Sequence, residues 1–158
     1  MATWLAVSAG TTLTLAAAPT LKVGDSAPKL QTGKWVQGEP VKEFQKGKAY
    51  LVEFWATWCP PCRASVPGIE KIYESFKDKG VVVLAVSMDD GGWDAVQSFV
   101  KENGIKYTVL KGNEDVAQKY QVRSIPMLLV LDKEGKISKR YLGFGSDEDL
   151  DRDIKAIL

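Results

Sequence analysis

The hydrophobic positions of this chain fall into short continuous runs separated by helical stripes. Ala49 to Trp55 is apolar except for Glu53, and its length and composition are typical of a buried central strand. Val81 to Val86 is a second run of this kind. Between the two, apolar residues recur at helical spacing, which predicts a helix that begins after Cys59 and ends at Gly80. The stripe consists of Val66, Ile69, Ile72, Tyr73 and Phe76.

The second half of the chain continues the alternation and then changes pattern. Trp93 to Glu102 is predicted as a helix and Tyr107 to Leu110 as a short strand. Met127 to Leu131 and Ile137 to Phe144 are predicted as two strands of a hairpin, because the turn between them contains Gly135, which adopts positive φ readily.

Two more helices complete the predicted elements. Asn113 or Asp115 could cap a short helix that runs to about Tyr120, and Ser146 is placed to cap a final one. Alternating strands and helices followed by a hairpin indicate an α/β fold with a central mixed β-sheet and helices on both faces. A parallel strand pair needs a crossover connection, which Pro61 to Lys79 supplies.

Length and charge exclude several classes of protein. The chain has 158 residues, enough for one domain with its own core, and a formal net charge of +1. Because the positive and negative charges nearly cancel, there is no electrostatic reason to expect a nucleic-acid partner or binding to an anionic membrane surface.

The N-terminal segment, residues 1–21, has two interpretations. Trp4 to Ala18 is mildly apolar but too short to span a bilayer, so no stable membrane span is predicted. It has the apolar stretch and small residues of a signal peptide, yet no Lys or Arg precedes Lys22 and Pro19 sits just after the expected cut. We expect export to the periplasm or a similar compartment; the alternatives are a cytoplasmic protein and a loosely ordered lead-in or strand.

Two cysteines carry the candidate chemistry. Cys59 and Cys62 are too few for a disulfide-stapled scaffold or a four-ligand zinc site, and the absence of histidine removes Cys–His catalysis. The C-x-x-C spacing alone is a weak signal, but here it lies between a buried strand and a helix. Cys59 therefore falls at a helix N-terminus, where free N–H groups and the helix dipole favour a thiolate, the attacking species in disulfide exchange. Cys62, one turn further on, should be more buried and should resolve the mixed disulfide.

These motifs resemble those of a known superfamily. The run from Leu51 to Cys62, LVEFWATWCPPC, is similar to the active-site stretch of the thioredoxin superfamily, and most similar to the exported thioredoxins of the TlpA/ResA type. Ile125-Pro126 matches the cis-proline loop of that superfamily, and Pro67 matches the proline inside its active-site helix. The resemblance covers Val23 to Leu158 and implies a thioredoxin-like domain over residues 22–158.

The resemblance also implies roles for individual residues. Cys59 would attack and Cys62 would resolve, while Trp58 would shield the site. Ile125 and Pro126 would form the groove for the substrate backbone. Glu53 stands where the family often has a buried acid that relays protons to the second cysteine.

Three features modify this interpretation. The spacer Pro60-Pro61 removes two N–H donors that could have stabilised the Cys59 thiolate, which favours a reductant or balanced exchanger over a strong oxidant. Val81 to Val86 contains no lysine to accompany the buried acid. If the strand were not central, Glu53 would instead be a solvated edge residue.

The predicted function is therefore a thiol–disulfide oxidoreductase that reduces or exchanges protein disulfides. Its expected partners are protein thiols and disulfides and an upstream thiol electron donor; we expect a monomer with no bound cofactor and no metal. Two alternatives stay open. A thiol peroxidase would share the fold and the Gly24 to Pro28 lead-in, although the sequence before Cys59 lacks the peroxidatic proline. A Cu(I)-binding module could use the two thiolates.

Overall fold

The computed structural model describes residues 20–31 and 34–158. The strands in this part of the chain are β1 (Trp35–Gln37), β2 (Ala49–Trp55), β3 (Val81–Ser87), β4 (Thr108–Lys111), β5 (Met127–Leu131) and β6 (Ile137–Leu142). The helices are α1 (Pro60–Phe76), α2 (Trp93–Glu102), α3 (Glu114–Lys119) and α4 (Asp147–Lys155), and a 3-10 turn over Lys77–Lys79 follows α1. Positions 1–19 of the predicted N-terminal segment lie outside the described residues. Within the described residues, no helix is both long and apolar enough to cross a bilayer.

Strand β2 lies in the middle of one mixed sheet with the order β1-β4-β3-β2-β5-β6. It pairs with β3 in parallel and with β5 antiparallel, and all seven of its residues are buried. The register places Glu53 between Ala85 and Leu128. The alternative of a solvated edge position for Glu53 is therefore wrong.

Helices cover both faces of this sheet, which confirms the predicted fold class. Residues of α1, α2 and α4 share one core cluster, because both parallel crossovers place their helices on the same face. Helix α3 packs on the opposite face, together with the segment around Leu30. Side chains of β2 alternate between the two clusters, as expected for a strand buried on both faces.

Two predicted boundaries differ from the structure by two residues or more. The first helix ends at Phe76, and the 3-10 turn carries the chain to Gly80, which adopts φ 81°. The last strand ends at Leu142, not at Phe144, because Gly143 turns the chain and donates its N–H to the Pro126 carbonyl at 2.8 Å. The predicted caps Asn113 and Ser146 do begin α3 and α4.

Helices α1 and α4 meet at a glycine. A Cβ atom on Gly68 would overlap the Phe144 ring and lie 2.6 Å from Asp147 Oδ1. Nearby, Lys71 Nζ of α1 donates to Asp147 Oδ2 at 3.0 Å. The absence of a side chain at position 68 is thus what allows the C-terminal part of the chain to pack on α1.

This contact makes Gly68→Ala destabilising. Alanine is favoured over glycine inside a helix by about 1 kcal/mol, but overpacking at Phe144 should outweigh this and lower the free energy of unfolding by about 1–3 kcal/mol. Urea unfolding measures the change. Gly91→Ala is the control and should be neutral, since a Cβ atom at position 91 would meet no atom of the described residues within 4 Å. A Gly68→Ala protein as stable as the wild type would contradict the packing described.

Candidate active site

The two cysteines lie where the chain leaves strand β2 and enters helix α1. Cys59 is the N-cap of α1 and Cys62 is in its first turn. They form a disulfide with a Cα–Cα distance of 5.3 Å. Cys59 is 4% exposed and Cys62 is 1% exposed, so both cysteines are buried in the disulfide form and the expected difference in burial is small.

The first turn of α1 offers few hydrogen-bond donors to Cys59. Pro60 and Pro61 occupy the first two helical positions and have no N–H. The N–H of Cys62 points to Cys59 Sγ at 3.3 Å, and the N–H of Arg63 donates to the Cys59 carbonyl at 3.0 Å. In this turn a single backbone N–H therefore reaches the Cys59 sulfur.

A loop before strand β5 lies against the disulfide. The Ile125–Pro126 peptide bond is cis, as predicted. The Ile125 carbonyl oxygen lies 3.8 Å from Cys59 Sγ. Pro126 is buried and Ile125 half-buried, whereas the Trp58 side chain is 64% exposed next to Cys59 in the chain. The structure thus places a backbone carbonyl beside the Cys59 sulfur, and an exposed tryptophan directly precedes Cys59 in the chain.

Glu53 is buried on the α1 side of the sheet. It is 2% exposed, and burial raises its pKa from 4.5 to about 7, an effect that a hydrogen bond from Ser65 partly offsets. Its neighbours across the sheet are Ala85 and Leu128, so the register provides no cation opposite it. This agrees with the absence of lysine from the strand predicted over Val81 to Val86.

Ser65 is a site residue that was not predicted from the sequence. Its side chain is 3% exposed and contacts both Glu53 and Cys62, with Oγ 3.0 Å from Glu53 Oε1 and 2.7 Å from the Cys62 carbonyl oxygen. A signal was present, because Ser65 lies in the buried row of α1 among apolar residues. A polar residue in such a row needs a buried partner.

A second unpredicted group holds the loop before Cys59. Asp89 is 8% exposed. It accepts hydrogen bonds from the Thr57 N–H at 3.1 Å, from Thr57 Oγ1 at 2.5 Å and from Ser87 Oγ at 2.7 Å. The carboxylate therefore fixes Thr57, two residues before Cys59, to the end of β3.

This arrangement is suited to reversible thiol chemistry. It combines a disulfide at a helix N-terminus, a buried acid linked through Ser65 to the Cys62 carbonyl, and an exposed tryptophan directly before Cys59 in the chain. Cys59 and Cys62 are the side chains that could hold a soft ion, and the described ranges contain no group of three or more metal-ligating side chains.

Comparison with known proteins agrees with this chemistry. Residues 22–158 match the Redoxin family. The thiol-disulfide oxidoreductase ResA of Bacillus thuringiensis subsp. konkukian is 33% identical over 143 residues, which cover 87% of this chain and 79% of the relative.

Solved structures show the same similarity. The thioredoxin domain of a thiol-disulfide oxidoreductase from Bacteroides vulgatus is 30% identical with a TM-score of 0.75, covering 88% of this chain and 100% of that domain. A thiol:disulfide interchange protein of the thioredoxin family from Chlorobium tepidum is 31% identical with a TM-score of 0.68, covering 89% of this chain and 97% of the other. This chain belongs to the Redoxin family, and it is a thioredoxin-fold thiol–disulfide oxidoreductase of the TlpA/ResA type.

Proposed function

We propose that the chain acts as a reductant or balanced exchanger of protein disulfides, with Cys59 as the attacking and Cys62 as the resolving cysteine. The observation that carries this proposal is the position of Cys59 at the start of α1, with its sulfur 3.8 Å from the Ile125 carbonyl. An extended substrate segment could pair with the backbone at Ile125 and so present its disulfide to Cys59 Sγ.

The reaction begins from the reduced cysteine pair. The Cys59 thiolate attacks one sulfur of the substrate disulfide, which forms a mixed disulfide and releases the first substrate thiolate. Cys62 then loses its proton and attacks Cys59 Sγ, which forms the Cys59–Cys62 bond and releases the second substrate thiolate. The Cys62 proton ends on one substrate sulfur, the solvent that took the Cys59 proton supplies one to the other, and two electrons pass to the substrate.

The direction of exchange follows from the first turn of α1. A strong oxidant needs a reduced form in which the attacking thiolate is strongly stabilised. Pro60 and Pro61 leave the Cys62 N–H as the backbone donor to Cys59 Sγ in this turn, so the thiolate gains limited stabilisation. This supports the role of a reductant or balanced exchanger.

The proposed function also includes an electron supply, an oligomeric state and a location. The disulfide itself would carry the electrons, with no bound cofactor, and a thiol donor would reduce it again after each cycle. We place the protein as a monomer in the periplasm or a similar exported location, on the resemblance to the TlpA/ResA type.

Glu53 is proposed as the acceptor of the Cys62 proton. Its carboxyl is buried beside α1 and linked to Cys62 through Ser65. A pKa of about 7 suits an acid that gives and takes a proton near neutral pH. The proton would pass on to the departing substrate thiolate.

Replacing the resolving cysteine should trap the intermediate. Reduced Cys62→Ser, mixed with a disulfide-bonded test protein, should accumulate a covalent adduct through Cys59, because the second attack is lost. Non-reducing electrophoresis and mass spectrometry identify the adduct. The matched Cys59→Ser variant should form little adduct, since Cys62 lies one turn inside α1 and not at its N-cap. Equal trapping by the two variants would refute the assigned roles.

Removing the buried acid should raise stability and lower activity. Between pH 4.5 and about 7 the folded state binds more protons than the unfolded one, so Glu53 makes stability fall as pH rises. Oxidised Glu53→Leu should therefore be more stable than wild type by about 3 kcal/mol at pH 8, with the gain gone near pH 4. Disulfide exchange should be slower.

Denaturant unfolding at both pH values, together with exchange rates, checks this expectation. Glu53→Gln is the control that removes ionisation but keeps a polar side chain. Its free energy of unfolding should also lack the decrease from pH 4 to pH 8 that Glu53 causes in the wild type. A Glu53→Leu protein that is less stable than wild type at pH 8, or that exchanges disulfides as fast, would contradict the assignment.

A further inference from the structure

The Ser65 hydroxyl lies between the buried acid and the resolving cysteine. Its oxygen is 3.0 Å from Glu53 Oε1 and 2.7 Å from the carbonyl oxygen of Cys62. The side chain is 3% exposed, so solvent is not an alternative partner for it.

One hydrogen has to serve two acceptors. A serine hydroxyl donates a single hydrogen but can also accept. If Glu53 is protonated, its O–H can donate to Ser65 Oγ while Ser65 donates to the Cys62 carbonyl, and every contact is a hydrogen bond. If Glu53 is ionised, it can only accept, and the Ser65 hydrogen is needed at the carboxylate. The two protonation states of Glu53 therefore require two orientations of the Ser65 hydroxyl.

A serine that donates to the carbonyl three residues earlier is ordinary in helices. That pattern explains the contact with Cys62 but not the contact with Glu53, which crosses from α1 to β2. The second contact requires serine, or a similar hydroxyl, at this position of the buried row.

Few other groups can influence Glu53. Strands β3 and β5 place Ala85 and Leu128 opposite it, and neither titrates. From α1, Cys62 is the titratable residue whose backbone carbonyl shares the Ser65 hydroxyl with Glu53. Tyr107, next to β4, also lies near Glu53. Burial is the main cause that raises the Tyr107 pKa, the charge of Glu53 is the second, and the charge of Glu70 is the third. Ser65 is the hydrogen-bond partner of Glu53 within residues 20–31 and 34–158.

We propose that Ser65 is a positioning residue for the resolving step, whose hydroxyl hydrogen moves from the Cys62 carbonyl to Glu53 when Glu53 loses its proton. The inference rests on the proposed role of Glu53 as proton acceptor. By donating a hydrogen bond to the carboxylate, Ser65 stabilises the ionised form of Glu53, so that this form is populated near neutral pH although the side chain is buried. Without the hydroxyl, Glu53 would hold its proton to higher pH, so a smaller fraction of it would be ionised and ready to accept the Cys62 proton near neutral pH.

The Glu53 titration and the pH profile of resolution test this proposal. Carbon-13 NMR of the Glu53 carboxyl in the full reduced chain should show a midpoint about one pH unit higher in Ser65→Ala than in wild type. Stopped-flow measurement of substrate-thiol release in a single turnover should show resolution slowed about fivefold at pH 7 and nearly normal at pH 9. Ser65→Thr, which keeps a hydroxyl, should restore both. Ser75→Ala, which removes an exposed hydroxyl from the same helix, should change neither.

The outcomes separate the role of Ser65 from that of Glu53. If Glu53→Gln resolves with the wild-type pH profile, the proposed function of Glu53 fails, whatever Ser65 does. If Glu53→Gln is slow but Ser65→Ala leaves the Glu53 titration unchanged, or slows resolution equally at every pH, the role of Ser65 is overturned.

Discussion

The start of helix α1 determines the geometry of the active site, because Cys59 caps the helix at the point where the buried strand β2 ends. Once this residue is fixed, Cys62 lies one turn inside the helix, and the Ile125 carbonyl lies beside the Cys59 sulfur. The same helix start places two prolines where N–H groups would otherwise face the thiolate. Residues Cys59 to Cys62 therefore set both the spacing of the two cysteines and the N–H donors available to Cys59. The Ile125 carbonyl, from a distant loop, completes the site.

The buried carboxyl of Glu53 lowers the stability of the folded protein at neutral pH and above. A carboxyl in the central strand of a sheet, with alanine and leucine across from it, would be replaced by an apolar residue if packing alone mattered. The hydrogen bond from Ser65 offsets part of the desolvation penalty and leaves the pKa of Glu53 near neutrality, at about 7. The proposed role of Glu53 in proton transfer would explain why such a group is kept where it destabilises the fold.

Sequence patterns predicted the parts of the molecule that depend on local chemistry. The apolar run of β2 and the Cys59–Cys62 pair could be read from short stretches of residues, and the cis bond at Pro126 followed from the resemblance of Ile125-Pro126 to the cis-proline loop of the superfamily. Ser65 and Asp89 could not, because their roles depend on partners that are distant in sequence or lie on another element. The extent of the last strand was overestimated for a similar reason: Phe144 is apolar because it packs on Gly68, not because it belongs to β6.

The Cys59–Cys62 pair is proposed to be a reversible redox couple whose attacking thiolate is only weakly stabilised by the start of α1. Equilibration of the Cys59–Cys62 pair with glutathione buffers at pH 7, followed by quantifying the oxidised fraction, tests it most directly. We expect one two-electron transition at or below about −180 mV, a range that includes both reducing thioredoxin-fold proteins and balanced exchangers. A midpoint near about −120 mV, typical of a strong oxidant, would contradict it.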